Sequence, residues 1–513
     1  MRLERAARTC AAALVAAAAA LGASAFAQAA EGEKPAAPAE GGHRILEPKP
    51  GPGFTFYTPG GEITLYGNLD VSFDATTKGI ADLRDENGNA PQGNVGWMPA
   101  MSTNLSYVGA RGFVRLGTEF RFLYQLETQI DIAATSGSAN SNSNSSTLVK
   151  GALTSRNSFL GLGSPFGALK FGKTDAPYKL STQRMNPFSG MIGDYGVVMG
   201  NSGGDNRVEF GTRLDHSLWY ESPKLGPVTL ALLFSPGQNR SGDSDQIPAG
   251  EPECAGGNIP GSGGIGTPGG APISCNDGSF GNVFSGALSY DEEPFYVTAA
   301  YERHKNVNRN SDIYGIFGYP LPVEAAGYDE ADVADEDAAK IAAQVKFPTK
   351  TTVSAIFESM HRYVPEFLKF QNERQRNGFW LSASQALGAH DSLHLGWAYA
   401  GKAQGDPGQH NTSGNPIPGH PTFTAGGLGV DNSSNMVTAA LKHDFGQDVV
   451  LYLAWAATYN HQYAHYDLGA GGRAVTTDCH DGGLPASGDT TSNPHCWAGG
   501  KLMGVSMGLN ARF

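Results

Sequence analysis

The sequence predicts an all-β chain: a transmembrane antiparallel up-and-down β-barrel of about 16 strands, with long extracellular loops and short periplasmic turns. Three observations predict it. Apolar and polar residues alternate with period two along many stretches, which places one face of each strand in an apolar phase and the other in water. Long polar connections alternate with short ones, as in a barrel with short turns on one side of a membrane and long loops on the other. After the N-terminus, no apolar run approaches the roughly 18 residues of a transmembrane helix. A membrane-crossing chain of this kind must satisfy its backbone polar groups by closing a barrel.

The 513 residues are rich in turn formers, with 69 Gly and 30 Pro, and only 17% are charged. The formal net charge of −13 excludes a nucleic-acid partner, because there is no basic stripe to neutralise phosphates.

Residues 1–27 read as a secretory signal peptide. Arg2, Arg5 and Arg8 form its positive end, residues 11–21 its apolar core, and Ala25-Phe26-Ala27 its small-residue cleavage site. Cys10 precedes the apolar core and leaves with the signal. Residues 28–61, with EGEKPAAPAEGG and then EPKPGPGF, read as a Pro/Gly-rich periplasmic leader. The barrel occupies 62–513.

The alternation is clearest in EFRFLYQLETQID, residues 119–131. Phe120, Phe122, Tyr124, Leu126, Thr128 and Ile130 share one face. Glu119, Arg121, Gln125, Glu127, Gln129 and Asp131 share the other with Leu123. The pattern begins at Ile63, Leu65, Leu69, Val71 and Phe73, and returns at 228–234, 295–301, 393–399 and 449–459. It ends in Met503, Val505, Met507, Leu509, Ala511 and Phe513. The predicted strands are 63–74, 103–112, 118–131, 155–163, 167–174, 207–222, 226–235, 283–291, 294–304, 338–347, 350–361, 377–387, 390–402, 435–445, 448–461 and 501–513. Short turns at 223–227, 388–391 and 446–448 alternate with long connections at 75–102, 132–154, 236–282, 305–337, 362–376, 403–434 and 462–499.

Export makes the other four cysteines legible. Cys254 and Cys275 lie in one long connection, Cys479 and Cys496 in another. Three connectivities are open, and local pairing within each connection is the expected one. Each bridge would contribute roughly 3 kcal/mol by restricting the unfolded loop. Metal binding by Cys479, His480, His495 and Cys496 is the alternative, disfavoured in an oxidising compartment.

Several segments resemble the general porins of Gram-negative outer membranes. ITLYGNLD at 63–70 resembles their opening strand, and LGTEFRFLYQLET at 116–128 the strand that ends in Gln-Leu-Glu. RNSFLGLGSPFGALKFGK at 156–173 is similar to the hairpin leading into the third extracellular loop, and RLDHSLWYESP at 213–223 to the strand leaving it. The terminal Phe513 resembles the signal read by the barrel-assembly machinery. The resemblance implies a homotrimer of sixteen-stranded barrels in the outer membrane, each a separate pore in contact with lipid and lipopolysaccharide. It implies a third loop, about 174–206, folded inward as a constriction.

In the family, basic wall residues face acids on that loop. Carried onto this chain, the constriction candidates are Arg121, Lys170, Lys173 and Arg213, against Asp175, Asp194 and Asp205. Alternation turns Arg121 and Lys170 inward. It turns Lys173 outward unless the strand ends first. Trp219 stands where the family often carries a basic residue, which removes one rung of the ladder.

Catalytic alternatives find little support. There is no G-x-S-x-G elbow and no H-E-x-x-H site, and His443, His461 and His465 cannot be matched by spacing to a nucleophile. No cofactor or metal is expected, and the chain is not read as an enzyme. The function expected is passive diffusion of small hydrophilic solutes and ions through a water-filled barrel. The alternative is a surface adhesin or ligand-binding barrel that uses the loops at 236–282 and 462–499.

Overall fold

The computed structural model describes residues 54–77, 97–130, 132–133, 156–199, 210–236, 282–307, 334–363, 375–402, 433–446, 448–461, 466, 468–469 and 501–513. Eighteen strands occur among them: β1 (Phe54–Thr58), β2 (Gly61–Thr76), β3 (Met98–Thr103), β4 (Tyr107–Leu116), β5 (Phe120–Gln129), β6 (Ser158–Ser164), β7 (Gly167–Asp175), β8 (Arg213–Glu221) and β9 (Val228–Pro236), followed by β10 (Asn282–Glu292), β11 (Phe295–Val307), β12 (Ala334–Lys346), β13 (Thr351–Tyr363), β14 (Arg376–Ala386), β15 (Asp391–Ala400), β16 (Ser434–Asp444), β17 (Val449–Asn460) and β18 (Lys501–Arg512). From β4 to β18 each strand pairs antiparallel with the next. β18 then pairs with β2 from Arg512↔Asn68 to Gly504↔Thr76 and closes the sheet. The wall has 16 positions.

The two additional strands follow from local sequence. β3 and β4 share one position, both pairing with β2, because the chain steps out of register between them. At the step, Asn104 Nδ2 donates to Asp70 Oδ1 (3.1 Å) and to the Tyr452 hydroxyl (2.8 Å), and Ser106 Oγ accepts the Asp70 amide (2.8 Å). Side-chain bonds here replace ladder bonds. The predicted strand 103–112 thus corresponds to β4, which begins and ends later, and β3 lies almost wholly in the stretch read as the connection 75–102.

β1 lies within the stretch read as leader. Its FTFYT run pairs with β2 from Phe54↔Leu65 to Thr58↔Gly61, below the level where β18 ends.

The faces divide as the alternation requires. Phe73 is 60% exposed and Met507 52%, whereas their neighbours Ser72 and Ser506 are at 0% and 1%. Apolar side chains outside and polar ones inside suit a wall standing in lipid around water. Short connections, such as the three residues around Gly117 (φ +81°), gather at the end that holds the C-terminus. No described helix is long and apolar enough to cross a membrane.

Candidate pore constriction

Between β7 and β8 the chain turns into the barrel. Pro177 begins a single helical turn, α1 (Pro177–Leu180), where its fixed φ suits the first helical position. A 3₁₀ turn at Gln183–Met185 and a second short helix, α2 (Gly196–Met199), follow. This segment packs on inward-facing residues of β10–β17.

The docking is apolar at its centre. Met185, Phe188, Met191, Ile192, Val197 and Val198 are buried in one cluster with Trp380 and Tyr452 from the wall. Trp380 is fully buried, edge-on to Phe188 at 6.0 Å and against Tyr195 at 5.2 Å, and its Nε1 donates to the Met185 carbonyl at 3.0 Å. Gly193 sits so close to β16 that a Cβ would fall 2.2 Å from Thr438 Cγ2. Its φ of +80° also suits only glycine well.

Polar bonds rim the cluster. Lys340 Nζ donates to Thr182 Oγ1 (2.9 Å) and lies 3.9 Å from the centre of the Tyr178 ring. The Tyr178 hydroxyl donates to Glu358 Oε2 at 2.7 Å. Lys442 Nζ donates to the Pro187 carbonyl (2.6 Å), and Arg376 Nη2 to the carbonyls of Val198 and Met199. Where the chain returns to the wall, Phe210 stacks on His304 at 4.6 Å and the Gly211 amide donates to Glu302 Oε1 at 3.0 Å. His304 is itself held between Glu302 and Glu336, at 3.1 and 3.0 Å.

Desolvation, and then the Glu358 charge, raise the Tyr178 pKa well above the ordinary tyrosine value. Desolvation likewise raises that of Tyr195, which the Thr182 hydrogen bond only partly opposes.

The sequence-nominated charges fall out unevenly. Lys170 faces inward and pairs with Glu221 at 2.7 Å. Lys173 sits at a register shift between Gly172 and Thr174 and pairs with Asp215 at 2.9 Å. Asp175 and Arg213 come together at 3.3 Å, with Lys179 on the same carboxylate at 2.9 Å. Asp194 is occupied by the loop itself. Its carboxylate accepts Asn186 Nδ2 (2.7 Å) and the amides of Gly196 (2.9 Å) and Gly190 (3.1 Å). Arg121 is inward, its guanidinium 4.9 Å from the centre of the Phe113 ring. Trp219, in place of a basic rung, is buried against Phe159 and donates to Glu221 Oε1 at 2.9 Å. Asp205, Cys254, Cys275, Cys479 and Cys496 lie outside the described residues, as does the signal peptide.

Sequence reasoning missed Arg111 and Arg115. On β4, Val114 and Leu116 are exposed on the outer face, which turns Arg111, Phe113 and Arg115 inward. The same alternation used for β5 would have found them. It missed Arg156 as well, which pairs with Glu127 at 2.6 Å and lies 4.6 Å from the centre of the Tyr107 ring. The loop-holding groups Lys340, Arg376 and Lys442 had no signal, since their partners are set by where the loop lands.

Comparison with known proteins bears on this arrangement. A family profile described as Gram-negative porin matches residues 12–463. The major outer membrane protein P.IA of Neisseria meningitidis serogroup C is 26% identical over 234 residues, 44% of this chain and 49% of that protein. The chain thus spans about half the length of the curated relative it matches. Among solved structures, an anion-selective porin from Comamonas acidovorans superposes with a TM-score of 0.54 at 16% identity, covering 88% of this chain and all of that one.

Proposed function

The chain belongs to the Gram-negative porin family, proteins of the outer membrane, and on that premise we propose that it is a passive channel for small hydrophilic solutes and ions. The observation that carries the proposal is a closed barrel with a polar inner face, whose β7–β8 connection is docked inside it while the arginines of β4 and β5 also point into the lumen. Such a loop narrows the lumen without covalent chemistry, so no enzymatic role is assigned. Solutes move down their gradients.

The preference follows from which charges are left unpaired. The described loop acids are consumed, Asp175 by Lys179 and Arg213, Asp194 by amides. Arg111, Arg115 and Arg121 form no ion pair with a described carboxylate. A basic wall without opposing free acids lowers the barrier for anions. The family's homotrimer, lipopolysaccharide contacts and barrel-assembly recognition of Phe513 are part of the same proposal.

Purified protein in a planar bilayer tests it. Stepwise ohmic openings are expected, and correctly folded barrels that carry no current would refute the channel.

A further inference from the structure

We propose that Arg115 and Arg121, with Arg111 above them, form a binding site for a multiply charged oxyanion at the periplasmic end of the lumen. The inference rests on the chain being an open pore. Arg115 and Arg121 are direct cross-strand partners in the β4–β5 pair, and both point inward. Like charges opposite one another destabilise a sheet pair. Among the described residues no carboxylate forms an ion pair with either. Glu221, farther along the wall, is held by Lys170 and Trp219.

The surroundings leave room for a ligand. Across from Arg121 the next two strands present Gly163 and then Ala168, so almost no side-chain volume stands beside the guanidinium. A Cβ on Gly163 would find only ordinary contact with Leu123, 3.4 Å away, which leaves that side of Arg121 unobstructed. Phe113 covers one face of the Arg121 guanidinium, and Tyr66 lies 4.8 Å from Arg111 in the same way. A guanidinium laid on a ring keeps its N–H edge free, and that edge is the part that binds oxyanions in bidentate fashion. The free edge of Arg121, with the guanidinium of its cross-strand partner Arg115 beside it, matches an ion with two charged oxygens or more. Chloride can satisfy only one at a time.

Inorganic phosphate and citrate are the probes, with acetate at equal ionic strength as the monovalent control. Added from each side in turn to single channels in potassium chloride, either polyvalent ion is expected to reduce the current saturably, more effectively from the side of the short turns. Block by citrate but not phosphate would still support the site, with an organic polycarboxylate as its ligand. In the double variant Arg115→Gln/Arg121→Gln the half-blocking concentration should rise about tenfold or more, since two charge-assisted bonds are lost. Arg115→Lys/Arg121→Lys should keep part of the block. Heat-modifiable migration on gels checks that each variant is folded. Conducting channels that no polyvalent anion blocks, or a block that survives the double glutamine variant, overturn the site while leaving the pore intact. Folded protein that carries no current removes the pore reading and the site with it.

Discussion

The amide of Gly67 donates to the carbonyl of Phe513 at 2.9 Å, and the amide of Phe513 donates back to Gly67 at 3.2 Å. The Phe513 ring lies over residue 67, where a Cβ would be 2.4 Å from its Cζ. The last residue of the chain is thereby fastened to the first full-length barrel strand, at the seam that closes the sheet. Phe513→Ala should reduce the folded, heat-modifiable protein recovered from outer membranes. Gly67→Ala should do the same by displacing the ring. In the double variant the second substitution should add little, because the ring that clashes is already gone. Additive losses would show that the two residues act separately.

Trp380→Ala tests the loop's anchorage. The substitution removes a fully buried ring from between Phe188 and Tyr195, together with the hydrogen bond to the Met185 carbonyl. Large-to-alanine changes of this kind cost about 3–5 kcal/mol. That cost falls on loop docking rather than on the sheet. Single channels should fluctuate between the native conductance and a larger one, and protease added to folded protein should cut within 186–199. A quiet channel of native conductance would mean that the loop is held elsewhere.

Alkaline pH should loosen the same loop, and the sign follows from its tyrosines. Tyr178 and Tyr195 both have pKa values raised by desolvation in the docked state. An undocked loop would return them to about 10. Below that value both tyrosines hold their protons in either state and their contribution to docking is complete. Above it only the undocked state ionises, so docking weakens by about 1.4 kcal/mol per pH unit for each tyrosine. Conductance should become noisy beyond pH 10. Tyr178→Phe should remove much of the alkaline effect.

What the sequence revealed follows from how each feature is encoded. Strands such as β5 and β18 were legible because alternation is a local property, and a lipid-facing wall repeats it without interruption. β1 was hidden by composition: its FTFYT run follows a Pro/Gly-rich stretch, and only the edge of β2 left open below β18 makes it a strand. The direction of Arg121 and Lys170 could be read from parity. Their partners could not, because Glu221 meets Lys170 only through the β7–β8 register. Asp194 looked like a free loop acid. That it is spent on the amides of Gly190 and Gly196 depends on the loop's own turns, which no period reports.

Selectivity should be read at low salt, where the screening length of roughly 30 Å at 10 mM spans the lumen, against about 10 Å at 0.1 M. In a potassium chloride gradient the reversal potential should carry the sign of chloride preference. Arg111→Gln removes an unpaired wall charge and should shift it toward zero. The Lys170–Glu221 pair offers a check of opposite sign within one contact. Lys170→Gln leaves Glu221 without its cation and should move the potential toward cation preference, whereas Glu221→Gln frees Lys170 and should strengthen anion preference. Side chains on both partners are partly exposed, at 14% and 43%, so each can act on ions in the lumen once unpaired. Shifts of the same sign from both variants would mean that a change of shape, and not of field, controls the current. A cation preference in the native channel would locate the controlling charges outside β4 and β5.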